Sequence, residues 1–256
     1  MARDNWNREQ LIVALNLYWK IPYNKISGSS NNQIKQIAPI IGRTPAAVAY
    51  KLMNFTSLDP ERQGVGNKGK SGSGSMDKLI WNEYFNQWDK LAFDSASILA
   101  NIKNEPIEKV LNIEDELKYA VGREKERIVK TRVNQSDFRQ RILASYNEKC
   151  CITGIDIPTL LVASHIIPWS VNEIERLNPQ NGLCLNSIHD KAFDKGLLTV
   201  TNDFKVKLSK DILRRKNEEV IKNYFVKYEN QPIILPDRYK PSLDFLDWHH
   251  NNRFEK

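Results

Sequence analysis

A chain of 256 residues, 41% of them hydrophobic, has room for two or three compact units, each with its own core. Its 38 Lys and Arg against 31 Asp and Glu leave a net charge of +7, which favours a polyanionic partner such as nucleic acid. The longest apolar runs, such as residues 160–163 and 197–200, fall far short of the roughly 20 needed to span a bilayer. The opening Met1-Ala2-Arg3-Asp4-Asn5 has no apolar signal core, so no membrane partner and a cytoplasmic location are expected.

Residues 5–57 read as three short helices. Over 8–19, Leu11, Ile12, Leu15 and Trp19 recur near helical spacing; over 31–41, Ile34, Ile37 and Ile41 share a stripe that Gly42 can stop. Thr44 and Pro45 then have the chemistry of a helix cap and a first helical residue, with Val48, Leu52 and Phe55 inward. Two helices joined through a tight Gly-containing turn suggest a helix-turn-helix whose third helix touches DNA, with Arg43 and Lys51 as contacts. A generic three-helix bundle is the plainer alternative.

Residues 62–75 hold five glycines and read as a flexible linker or long loop. Over 79–91, Trp81, Tyr84, Phe85 and Trp88 fall at spacings of three and four, an aromatic stripe expected to be core. Residues 117–146 read as a long charged helix with seven Lys or Arg against three acidic residues between 123 and 141. This is a solvated face or a phosphate-tracking one, Arg132 and Arg139 being its candidate contacts.

From Cys150 the pattern changes to short strands, expected at 149–153, 160–167 and 183–186, with a loop over 169–182. A short helix over 188–195 ends at Gly196. A hairpin of 197–200 with 205–208, a helix over 211–228 and an extended tail follow. Cys150, Cys151 and Cys184 are too few and wrongly spaced for a four-cysteine zinc site, and buried packing is their expected role.

Chemistry concentrates in this last segment. Two of the four histidines, His165 and His189, lie in it with Asn181 between them, placed so that strand and helix aim both rings at a common point. Hydrolysis of a phosphodiester needs a base that works near neutral pH, which imidazole supplies, and a cation to offset developing charge. A side-chain amide can hold the intervening loop by bonding to its backbone. Arg176, in that loop, is either a phosphate contact or an exposed loop arginine. His249 and His250 are expected to be surface or packing residues.

Three blocks in order, Ser164-His165-Ile166-Ile167-Pro168-Trp169, Asn178-Pro179-Gln180-Asn181-Gly182-Leu183 and His189-Asp190-Lys191-Ala192-Phe193-Asp194-Lys195-Gly196, closely resemble the HNH (ββα-metal) endonuclease family. More narrowly, they resemble its bacterial restriction-type branch. The resemblance covers about residues 130–250. It implies His165 as the general base that activates water, Asn181 as the residue that orients the loop, and His189 as a ligand of one divalent metal, Mg²⁺ with Mn²⁺ or Ni²⁺ able to substitute. Many members carry Asp or His where this chain has Ser164. The metal then keeps more waters, uses Ser164, or recruits Asp190 or Asp194.

The expected architecture is α+β: a trihelical, helix-turn-helix-like DNA-binding unit at 1–60, a flexible linker at 61–76, a helical connector at 77–135, and an HNH nuclease domain with a C-terminal helix and tail at 136–256. The function implied is metal-dependent cleavage of double-stranded DNA in restriction of foreign DNA, by a homodimer where both strands are cut. The alternatives are a sequence-specific DNA-binding regulator with a degenerate HNH domain and an RNA-directed or toxin nuclease.

Overall fold

The structure is a computed structural model that describes residues 5–63, 72–111, 113–117 and 121–255. Contacts divide the chain into two compact units, Met1–Gln140 and Arg141–Lys256.

In the first unit, α1 (Arg8–Lys20) begins at Asn7, whose side chain and that of Gln10 cap each other's backbone N–H groups. Asn31 caps α2 (Asn32–Ile40), and Thr44 caps α3 (Pro45–Phe55) with Pro45 in its first turn. Gly42 adopts φ +67°, a left-handed turn that a side chain would strain, so the chain leaves α2 and enters α3 without a longer loop. A short α4 (Pro60–Gln63) follows; residues 64–71 of the expected linker lie outside the described residues, as do 112 and 118–120 of the expected connector. Next come α5 (Ser75–Tyr84), α6 (Trp88–Lys103), α7 (Ile107–Val110) and α8 (Gly122–Ser145), within which the division between the units falls.

The aromatic stripe is core, as expected, but it lies on two helices. The chain breaks at Asn86, with φ +61°, and α6 starts afresh at Trp88. Trp19 of α1 packs 5.2 Å from Trp81 and 5.4 Å from Trp88, ring centre to ring centre. The helices before and after residues 64–71 therefore share one core, α1 packing on α3, α5 and α6 alike.

In the second unit the strand expected at 149–153 is absent. That stretch is a turn, hydrogen-bonded instead from Cys151 N to Cys184 O (2.7 Å) and from Ile234 N to Cys151 O (2.7 Å). The three cysteines are buried and free. Strand β1 (Leu161–His165) pairs antiparallel with β2 (Gly182–Asn186), Ala163 opposite Cys184 and His165 opposite Gly182. Asn186 caps α9 (Ser187–Asp194) by accepting from the N–H groups of Ile188 and His189. β3 (Leu198–Val200) and β4 (Val206–Leu208) form the expected hairpin.

The helix expected over 211–228 is instead α10 (Lys210–Arg214), α11 (Glu219–Tyr224) and a 3₁₀ turn at Val226–Tyr228. The run Arg214-Arg215-Lys216-Asn217-Glu218-Glu219 offers no apolar stripe to bury, so the helix breaks there. The expected tail contains α12 (Leu243–Asn252), which buries Leu246 and His249 at a three-residue spacing. The fold is α+β: helical first, then small antiparallel sheets around a strand–loop–strand–helix core. Among the described residues no helix is long and apolar enough to cross a membrane.

Candidate active site

His165 ends β1 half-buried. Its Nε2 lies 2.9 Å from the carbonyl oxygen of Arg176. A carbonyl can only accept, so the ring carries its proton on Nε2 and its lone pair on Nδ1. Burial pushes the His165 pKa below that of an ordinary histidine, against the opposing pull of the Arg176 carbonyl and of Asp194, so the ring is neutral near pH 7. Trp169 stands edge-on to the ring at 5.5 Å and holds its tilt.

Asn181 fixes the loop that supplies this carbonyl. Fully buried, it accepts from Ile167 N (2.8 Å) and donates to Ile167 O (3.1 Å) and Glu175 O (3.2 Å). One side chain thus joins the start of the loop to its end, next to Arg176. This is the amide pin expected from the sequence, made by the expected residue.

α9 presents two faces to two different places. Asp190 and Asp194 are four residues apart and share the face toward β1. The Ser164 hydroxyl lies beside the Asp190 carboxyl, and Asp194 lines a cavity of about 250 Å³ with His165. Burial pushes the Asp190 carboxyl above the usual range and the neighbouring Asp194 adds to this, while Ser164 and Lys191 pull the other way.

His189 lies one residue, and so roughly 100°, away around the helix. It is buried; its Nε2 donates to Tyr224 O (2.7 Å) and its Nδ1 accepts from the Asn186 amide (2.8 Å). Its ring packs edge-on against Phe225 and Tyr228, and it lines a separate cavity of about 570 Å³. Burial pushes the Cys150 thiol up, but hydrogen bonds with His189 and Thr153 outweigh it and bring it down to about 7. The two histidine rings expected to converge do not: His165 faces Asp194, whereas both nitrogens of His189 are engaged elsewhere.

A neutral histidine at the end of β1, a loop pinned by Asn181 and the short helix α9 thus follow one another in the chain. Residues 150–201 match the model of the HNH endonuclease family. The HNH match takes in β1, the pinned loop, β2, α9 and β3, and stops before α10, α11 and α12. It supports a nuclease activity and hence a nucleic-acid substrate. No curated protein matches the chain.

HNH nucleases generally use a divalent metal. Among the described residues, no three His, Cys, Asp or Glu side chains gather into a ready-made cage. What the HNH segment does gather is hard oxygen: the adjacent carboxylates of Asp190 and Asp194 and the Ser164 hydroxyl. That set fits a cation such as Mg²⁺, which takes one or two carboxylates, keeps several waters and shares the phosphates of its substrate.

The cations expected to meet DNA are placed as follows. Lys51 is 9% exposed, its ammonium 2.9 Å from both oxygens of Asp77, so it serves the core of its own unit. Arg43 is half-buried, bonded to Gln10 (2.9 Å) and to Asn5 O (2.7 Å) over the ring of Trp6. Arg132 is exposed and pairs with Glu116 at 2.6 Å; Arg139 is half-buried. Arg176 pairs with Glu173 and lies over Trp169, and its contribution to the site is its backbone carbonyl.

His249, expected as a surface or packing residue, is a packing one. It is 2% exposed, accepts at Nδ1 from Thr199 Oγ1 (2.9 Å), donates from Nε2 to Phe193 O (3.1 Å) and stacks on Phe193 at 3.7 Å. Burial lowers its pKa to about 4. It grips the last turn of α9, and no spacing rule connects residue 249 to residue 193.

Proposed function

We propose that this protein is a metal-dependent endonuclease that hydrolyses DNA phosphodiester bonds, serving in restriction of foreign DNA. The observation that supports it most is the hydrogen bond from His165 Nε2 to the Arg176 carbonyl. It sets the tautomer of a neutral imidazole, with the proton on Nε2 and the basic lone pair on Nδ1, beside Asp194 and within a segment that matches an endonuclease family.

In the proposed step, water loses its proton to His165 Nδ1 as its oxygen bonds to phosphorus. The bond from phosphorus to the 3′ oxygen breaks, leaving a 5′-phosphate on one fragment and a 3′-hydroxyl, once protonated, on the other. Asn181 keeps the Arg176 carbonyl in place and with it the tautomer of His165. Asp190 and Asp194, with Ser164, would hold the divalent ion, Mg²⁺ by its preference for hard oxygen, and when bound it offsets negative charge developing on the phosphate. His189 buttresses α9 from its other face. The helices of residues 8–55 would contact flanking DNA, and two copies of the chain would meet on a duplex where both strands are cut.

The test is cleavage of plasmid DNA, unmodified and cytosine-modified, with Mg²⁺ or Mn²⁺, with EDTA, and by a His165→Ala variant. Discrete metal-dependent fragments that disappear in the variant are expected. Equal cutting by His165→Ala would remove the base from the mechanism. Intact DNA in every metal, with binding retained, would favour a DNA-binding regulator with a degenerate HNH domain.

A further inference from the structure

The cavity shared by His165 and Asp194 is also lined by three cations, Lys191, Lys195 and Arg253, the last from a part of the chain beyond the family match. We propose that these three side chains cradle a backbone phosphate of the nucleic acid beside the His165 site, so that the C-terminal helix α12 completes the nuclease. The proposal rests on the nuclease reading for the identity of its ligand.

Placement is the first support. Lys191 lies on α9 and Lys195, four residues on, is the residue that caps its C-terminus, and both line the cavity. Arg253 follows α12 and reaches the cavity because its backbone is fixed there. Its N–H bonds to His249 O (2.9 Å), and the next-but-one N–H, of Glu255, bonds to Gly196 O (2.9 Å). Gly196 has φ +71°, and a Cβ there would sit 2.0 Å from the Arg253 carbonyl oxygen. Only glycine allows this approach, so the turn that ends α9 is shaped to receive the segment carrying Arg253. His249, on the preceding turn, is bonded and stacked to Phe193 of α9.

Charge is the second support. All three cations are exposed, and none is held in an ion pair with a described residue. They converge on a cavity whose only acidic lining residue is Asp194. One carboxylate against three cations leaves the hollow with an excess of positive charge that an entering anion would offset. A guanidinium and two ammoniums suit a phosphate, the guanidinium by paired hydrogen bonds and the ammoniums as point charges.

The experiment measures binding of the full chain to a fluorescein-labelled DNA duplex by anisotropy, in EDTA and over a range of salt, alongside cleavage kinetics in Mg²⁺. Arg253→Gln is expected to weaken binding about fivefold and raise KM to match, with kcat changing less. The slope of log Kd against log salt should shrink by about 0.9, as for one lost phosphate contact. Arg253→Lys should recover much of the affinity. Lys195→Gln changes an exposed side chain that takes no part in the Glu255–Gly196 backbone bond, and so repeats the test without altering the atoms of the clamp. Unchanged Kd, KM and salt slope in both neutral variants would overturn the proposal, as would a failure of the wild-type chain to bind DNA at all. Should wild-type protein bind but cut no DNA while Arg253→Gln still loses affinity and slope, the cradle stands and the nuclease reading falls. Cleavage lost in His165→Ala but untouched in Arg253→Gln and Lys195→Gln gives the reverse.

Discussion

At the scale of single residues, two histidines and one asparagine illustrate how burial assigns chemistry. His165 keeps a lone pair because a carbonyl holds its other nitrogen, and Asn181 holds the loop that carries that carbonyl. Asn181→Ala would leave Ile167 N, Ile167 O and Glu175 O without their buried partner. A stability loss of about 2–3 kcal/mol is expected in urea unfolding, with a fall in kcat that exceeds any change in DNA affinity. An unchanged kcat would show that the loop holds its shape without the amide.

His249 makes a separate prediction about pH. Its folded pKa of about 4 lies below the ordinary 6.5, so above pH 6.5 it is neutral in both states and contributes nothing to pH dependence. As pH falls from 6.5 toward 4 the unfolded chain takes up a proton that the folded chain refuses, and stability is lost. Between about pH 7 and about pH 5 this amounts to about 2 kcal/mol. His249→Gln should be less stable at pH 7 but lose about that much less on acidification. Parallel urea curves for the two proteins at both pH values would refute the assignment.

At the scale of elements, α9 decides what could be read beforehand. Its existence and its stop at Gly196 were legible, because a left-handed glycine is a local signal, while its cap, Asn186, was read only as the end of a strand. So were α1, α2 and α3, and the strand–loop–strand order of the HNH segment. What was not legible is which face of α9 meets β1, since His189 and Asp190 are neighbours in sequence and both are plausible ligands. Tertiary packing places them apart: Tyr224 O and Asn186 bond to His189, while the Asp190 and Asp194 face meets Ser164 and His165. The clamp of α12 on Gly196 was hidden for a related reason, since it depends on a surface supplied from far along the chain, whereas the break in the 211–228 helix has a local cause in the charged run 214–219.

The two faces give opposite predictions. Asp190→Asn should raise the Mg²⁺ concentration needed for half-maximal cleavage roughly tenfold, the loss of one carboxylate ligand, with little change in stability. His189→Ala should cost about 2–3 kcal/mol by emptying a buried site and leaving the Tyr224 carbonyl without its partner, while the folded fraction keeps a normal metal titration. A metal requirement raised in His189→Ala and unaltered in Asp190→Asn would return the ligand role to His189.

At the scale of the whole molecule, the first unit is held by contacts between segments that the sequence separates with glycines. Trp19, Phe55, Trp81 and Trp88 form one aromatic core, and the Lys51–Asp77 ion pair joins α3 to α5 across residues 64–71. Lys51 looked like a DNA contact because it lies on the third helix of a basic segment; its burial at 9% and that of Asp77 at 2% make it a structural cation instead. Lys51→Met would strand a buried carboxylate and is expected to cost about 3–5 kcal/mol. It would weaken DNA binding too, but only through the lost fold, and the double variant Lys51→Met with Asp77→Leu separates the two causes. Replacing both charges by apolar groups of similar size is expected to return most of the stability. If Lys51 acts through the core, DNA affinity returns with it. If Lys51 touches a phosphate, the double variant regains its unfolding midpoint while its affinity and salt slope stay reduced, and the ion pair would then be incidental to the role of that helix.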